Sequence, residues 1–235
     1  MTNESKSLDL TGLGEVAKSI PAEVYTQTAT TVLTTFNKLV APITETTNGL
    51  GRYIKQKFDN MIDVEKAVAT YTLDNAVIKA QIKAVALGQS ISPPIHHKSF
   101  VKTLDEASKE TDPLLHEMWE NLLAEQLVDD AFHPHFVEIL SHFSPREASL
   151  LVSLKPKAEI TVHCGGYISY DVDHFTYWLR NGDNTELNNW DYSCILLNEF
   201  QFIGLLSPGK EKYPEGTAIL YRTRSGDAFL KAVSS

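Results

Sequence analysis

Three histidines and one carboxylate come closest to a reactive arrangement in this 235-residue chain. On a helix beginning at Pro134, His135, Glu138 and His142 fall on one stripe at offsets of three and four. Two imidazoles and a carboxylate so placed can hold zinc or iron. The spacing is not His-Glu-x-x-His, however, and no second acidic or histidine cluster supplies the remaining ligands. A solvated stripe beside Phe136, Ile139 and Phe143 explains the pattern equally well. His163-Cys164 offers a base next to a nucleophile, but neighbours in a strand point to opposite faces. Asp171-Val172-Asp173 holds two alternating carboxylates without a partner set of metal ligands. Neither a G-x-x-x-x-G-K-[ST] phosphate loop nor a G-x-S-x-G elbow occurs. The expectation is a protein with no catalytic residue, metal or cofactor.

The elements around these residues read as mainly α. Pro21 suits a first helical turn, and Val24, Thr28, Val32, Phe36 and Val40 follow at spacings of four, up to Pro42. Asn48 to Ile62 predicts a helix with Leu50, Ile54, Phe58 and Met61 on one face. Asp63 to Leu87 predicts another, with Val64, Val68, Tyr71, Ile78, Ile82 and Val85 as its buried stripe and Gly88 as its stop. Ser92-Pro93-Pro94 is a break, and His96-His97 reads as loop surface. Asp112-Pro113, His133-Pro134 and Ser144-Pro145 each place a candidate cap before a proline at the first helical position. Glu147, three residues after Ser144, completes a capping box. The apolar sets Leu115, Trp119, Leu122 and Leu123, then Phe136, Ile139, Leu140 and Phe143, then Ala148, Leu151 and Val152 support the three helices.

Beyond Lys155 the pattern changes. Ile160-Thr161-Val162 is β-prone, Tyr167 to Tyr177 is rich in aromatics, and Asn181 to Asn184 is a turn. A helix over Leu187 to Phe202, ending at Gly204, precedes a short strand at Leu205-Leu206. A loop from Pro208 to Gly216, a strand from Ala218 to Thr223 and a last helix through Val233 follow. That order is winged-helix-like. The domain expectation is a flexible tail over 1–13, an all-helical domain over 14–154 and a small α+β winged-helix-like domain over 155–235.

A winged helix invites a reading as a DNA-binding regulator, which the charges oppose. The chain carries a formal net charge of -9, and from Ile160 onward it has six basic against nine acidic residues. Asp191 to Gly204 contains no Lys or Arg to meet phosphates. Protein contact, with another protein or with a second copy, is the better expectation, and no nucleic acid is expected.

The N-terminal stretch Met1 to Asp9 is polar, and the two cysteines are too few for a disulfide framework. The expected location is cytoplasmic, with reduced thiols. Val24 to Asn37 is uncharged and threonine-rich. Val24, Val32 and Phe36 are its candidate contacts with another copy or, on activation, with a membrane. The stretch lacks the length to span and the basic face of a surface-bound helix.

Several segments in order carry a resemblance: Leu39-Val40-Ala41-Pro42, LLHEMWENLLAE from Leu114, HPHFVEILSHFSPRE from His133, ILLNEFQFIGLL from Ile195 and GDAFLKAV from Gly226. From about Gly14 to its end the chain resembles the Abi-alpha family of bacterial and phage-encoded proteins associated with abortive infection. The matching residues are Trp119, Asn121, Leu122, Leu123, His133, Pro134, Phe136, Ser144, Pro145, Asn198, Gly204, Leu205, Gly226 and Phe229. The family carries a small residue where this chain has His135, which weakens a metal site there. Between Val152 and Asn184 the chain has no familiar counterpart. The resemblance implies a phage-defence role, and implies no reaction and no catalytic residues. A metal-dependent hydrolase or nuclease built on His135, Glu138 and His142 is the remaining alternative.

Overall fold

The computed structural model describes residues 21–25, 34–35, 37–41, 48–129, 131–156, 192–206 and 219–234. Val32, Phe36, Pro42, His163, Cys164, Asp171, Asp173, the β-prone Ile160 to Val162, the stretch Tyr167 to Tyr177, the turn at Asn181 and the loop Pro208 to Gly216 lie outside them. The described chain is mainly helical with one two-stranded sheet. It divides into two compact units, residues 1–142 with 232–235, and residues 143–231.

In the first unit the helices are α1 (Ala22–Tyr25), α2 (Asn48–Asn60), α3 (Asp63–Leu87), α4 (His97–Ala107), α5 (Pro113–Gln126) and α6 (His135–Leu140); residues 37–41 are helical as well. Ile54 and Phe58 of α2, and Met61 just after it, are buried as their spacing predicts. Val24 and Val40 join the same core, so Val24 is a packing residue here and not an exposed contact. Gly88 ends α3 in the left-handed conformation, with its N–H on the Val85 carbonyl and that of Gln89 on the Ala84 carbonyl.

Two expectations fail here. His97 opens a helix, α4, where a loop is expected; Phe100, Val101, Leu104 and Ala107 are its buried stripe. In the second half of α3 the buried face is Leu73, Ala76, Ala80 and Ala84, whereas Ile78, Ile82 and Val85 are 48%, 66% and 80% exposed. Alanine lets α3 approach its neighbours closely, and that contact outcompetes the larger side chains for the interior.

The second unit contains α7 (Pro145–Ser153), α8 (Tyr192–Glu199), β1 (Ile203–Leu206), β2 (Ile219–Arg222) and α9 (Arg224–Val233), whose last residues belong to the first unit. The strands are antiparallel, pairing Ile203 with Arg222 and Leu206 with Ile219. The helix expected to run to Gly204 stops earlier. Gln201 takes a left-handed φ of 57°, its N–H reaches the Asn198 carbonyl, and that of Phe202 reaches the Leu197 carbonyl. Gly204 is instead a strand residue beneath the Tyr221 ring. A side chain with a Cβ is strained at the position of Gln201, so Gln201→Gly is expected to stabilise this unit by about 0.5–1 kcal/mol. A rise in urea midpoint at unchanged m-value checks it.

Candidate functional site

α5 is held on every side. Asp112 caps it, its Oδ1 accepting from the N–H groups of Leu114 and Leu115 at 3.0 and 3.1 Å. Leu115, Trp119, Leu122 and Leu123 are buried as expected, but so are His116, Glu120, Asn121 and Gln126. Polar groups taken out of water need partners. Each of the four finds at least one, in three different directions, while Asn121 Oδ1 and Gln126 Oε1 have none among the described residues.

Toward α3, Glu120 is the centre. It is 6% exposed, and its Oε1 accepts from Asn75 Nδ2 at 2.7 Å. Lys79 Nζ lies 2.8 Å from Oε2, obliquely, as an ion pair rather than an aligned hydrogen bond. His116 Nε2 stands 3.5 Å from Oε1 and 3.2 Å from Thr72 Oγ1. The Thr72 hydroxyl donates to the Val68 carbonyl, so it accepts from Nε2, which therefore carries a proton. Nδ1 has no partner. Burial acts to raise the Glu120 carboxyl, but contacts from His116, Lys79 and Asn75 outweigh it and hold the group below its ordinary value.

Chemically this is a fixed anion. A carboxylate with its lone pairs engaged and its pKa lowered is a poor proton acceptor. The threonine hydroxyl is likewise turned away from the imidazole, with both polar contacts of His116 on the same ring nitrogen, so the trio lacks the relay of a nucleophilic triad. The arrangement instead locks the register of α3 against α5.

The other two directions are also latches. Asn121 Nδ2 donates to the Val233 carbonyl at 3.0 Å, and Lys83 Nζ bridges Glu125 Oε2 and the Ser234 carbonyl at 3.0 and 3.2 Å. An amide and a cation thus satisfy carbonyls at the C-terminal end of the last helix. Gln126 Nε2 donates to Thr103 Oγ1 of α4 at 2.9 Å.

The histidine stripe is elsewhere on the first unit. His133, His135 and His142 are exposed, and the Nδ1 of His133 accepts from the His135 N–H at 3.2 Å. Glu138 pairs with Lys102 of α4, which pulls its carboxyl below the ordinary value. Among the described residues no three His, Cys, Asp or Glu side chains are grouped to hold a metal. Pro134 precedes α6, and Phe136 is half-buried against Phe132.

In the second unit Ser144 and Glu147 form the capping box ahead of Pro145, with the Ser144 N–H on Glu147 Oε2 at 2.6 Å. Burial raises the Glu147 carboxyl, but hydrogen bonds from Ser144 and Ser193 outweigh it and lower it overall. Phe229 is fully buried, its ring 4.8 Å from Phe202 and 5.3 Å from Phe143. Gly226 is required because a Cβ there would sit 2.4 Å from the Phe202 carbonyl oxygen. Asn198 is exposed, and its backbone carbonyl accepts from the Gln201 N–H in the turn. Arg222, one of the cations a DNA-binding reading would need, is engaged. Its Nε donates to Asp227 at 2.8 Å, and Nη1 faces the Leu151 and Val152 carbonyls at the end of α7.

Nothing in the sequence alone marks Thr72, Asn75, Lys79, His116 and Glu120 as one cluster. The available signal is the i, i+4 pair His116 and Glu120 embedded in the apolar stripe of α5, facing Thr72, Asn75 and Lys79 at three- and four-residue steps on α3. No curated protein and no solved structure gives a significant match to this chain. The family model described as abortive infection alpha matches residues 57–233, from the end of α2 to the last helix. That span takes in the α3–α5 lock, the capping box and the phenylalanine cluster, and leaves Leu39 to Pro42 outside. On that match, the chain belongs to the abortive infection alpha family.

Proposed function

We propose that this protein serves abortive infection by protein contact and self-assembly, as a cytoplasmic, non-catalytic component. Family membership implies the abortive-infection role. The observation that supports a non-catalytic reading is the state of Glu120: the buried carboxylate within the Trp119 to Leu123 family segment is consumed by Asn75, Lys79 and His116. Around it Trp119, Leu122 and Leu123 serve as packing, and Asn121 holds the chain's end.

The order α8, β1, β2, α9 supports a winged-helix-like module used for protein contact. With Arg222 committed to Asp227 and α7, a phosphate-binding use has one cation fewer. The N-terminal helices act in assembly or, once activated, at the membrane; the uncharged Val24 to Asn37 stretch supports this. Among the described residues no helix is long and apolar enough to cross a membrane, so the membrane part is a surface disturbance. Liposome leakage with purified protein, and with Val32→Asp and Phe36→Asp, tests that part, and no leakage in any oligomeric state removes it.

The whole reading is tested in a host challenged with phage, comparing wild type, an N-terminal truncation and Glu120→Gln. Wild type is expected to collapse the infected culture and spare neighbouring cells, and the truncation to lose that effect. Glu120→Gln is expected to retain it wherever the protein stays folded. A folded Glu120→Gln protein that gives no protection would mean that the carboxylate does chemistry.

A further inference from the structure

We draw no further inference here: the strongest candidate, the exposed apolar face of α3 formed by Ile78, Ile82 and Val85, carries no charge pattern that selects a partner, and nothing in the structure shows what covers it.

Discussion

Glu120→Ala is expected to destabilise the protein by about 3–5 kcal/mol, the range for breaking a buried ion pair by removing one partner. The physical reason is what remains. Lys79 and His116 keep their charge or dipole in the α3–α5 interface, and Asn75 loses its acceptor. Lys79 is 23% exposed at its side chain and can swing partly into water, which favours the lower end of the range. Glu120→Gln keeps an acceptor for Asn75 and should cost only about 1–2 kcal/mol. Combining Glu120→Ala with Lys79→Ala should cost less than the sum of the two single changes, because the second removes the stranded cation.

The pH dependence has a definite sign. The Glu120 carboxyl titrates below its ordinary value in the folded state, while unfolded glutamates titrate at about 4.3. Its contribution is therefore present above that value and is lost as pH falls through the lower folded pKa. Urea midpoints measured from neutral pH downward should show a flatter acid limb in Glu120→Ala than in wild type. Equal acid limbs, or a loss below about 1 kcal/mol at neutral pH, would mean that the carboxylate is not held as described.

How much of this was legible in the sequence depends on how local the cause is. The caps at Asp112 and Ser144 act within three residues, so a polar residue before proline was enough to place α5 and α7. The α5 stripe was legible for the same reason. The buried face of α3 was not, because hydrophobicity ranks isoleucine above alanine while close helix packing favours the smaller side chain. α4 was hidden by the diproline and the histidine pair at its start, although Phe100, Val101, Leu104 and Ala107 carry a helical stripe. The lock itself joins Thr72 to His116 and Asn75 to Glu120 across 44 and 45 residues. The one local hint, the pair His116 and Glu120 inside the apolar stripe of α5, does not say which residues of α3 will meet it. The end of α8 is not legible for a related reason: the left-handed position falls on Gln201, and Gly204 is taken up by the ring of Tyr221.

Phe229→Ala is expected to cost the second unit about 3–5 kcal/mol, the usual range for emptying a buried phenylalanine site. The ring has no exposure and, among the described residues, packs against Phe202 at 4.8 Å and Phe143 at 5.3 Å. Phe200 closes the cluster at 5.9 Å from Phe202. Ring pairs of this kind add to the burial itself by about 0.5–1.5 kcal/mol. The space cannot collapse easily, because Gly226 holds α9 with its backbone against the Phe202 carbonyl. Phe229→Leu keeps most of the volume and should cost less than about 1.5 kcal/mol. Gly226→Ala should be severe, since the obstacle is backbone, and Gly204→Ala milder, since the tip of the Tyr221 ring can swing aside. Urea unfolding of the four variants orders them. A Phe229→Ala protein within about 1 kcal/mol of wild type would show that the cluster is not a core. If, as proposed, these family positions serve the defence role through folding, phage protection should follow the same order, with Phe229→Leu protecting and Phe229→Ala not. A stable Phe229→Leu protein without protection would instead make the ring part of a contact surface exposed during infection.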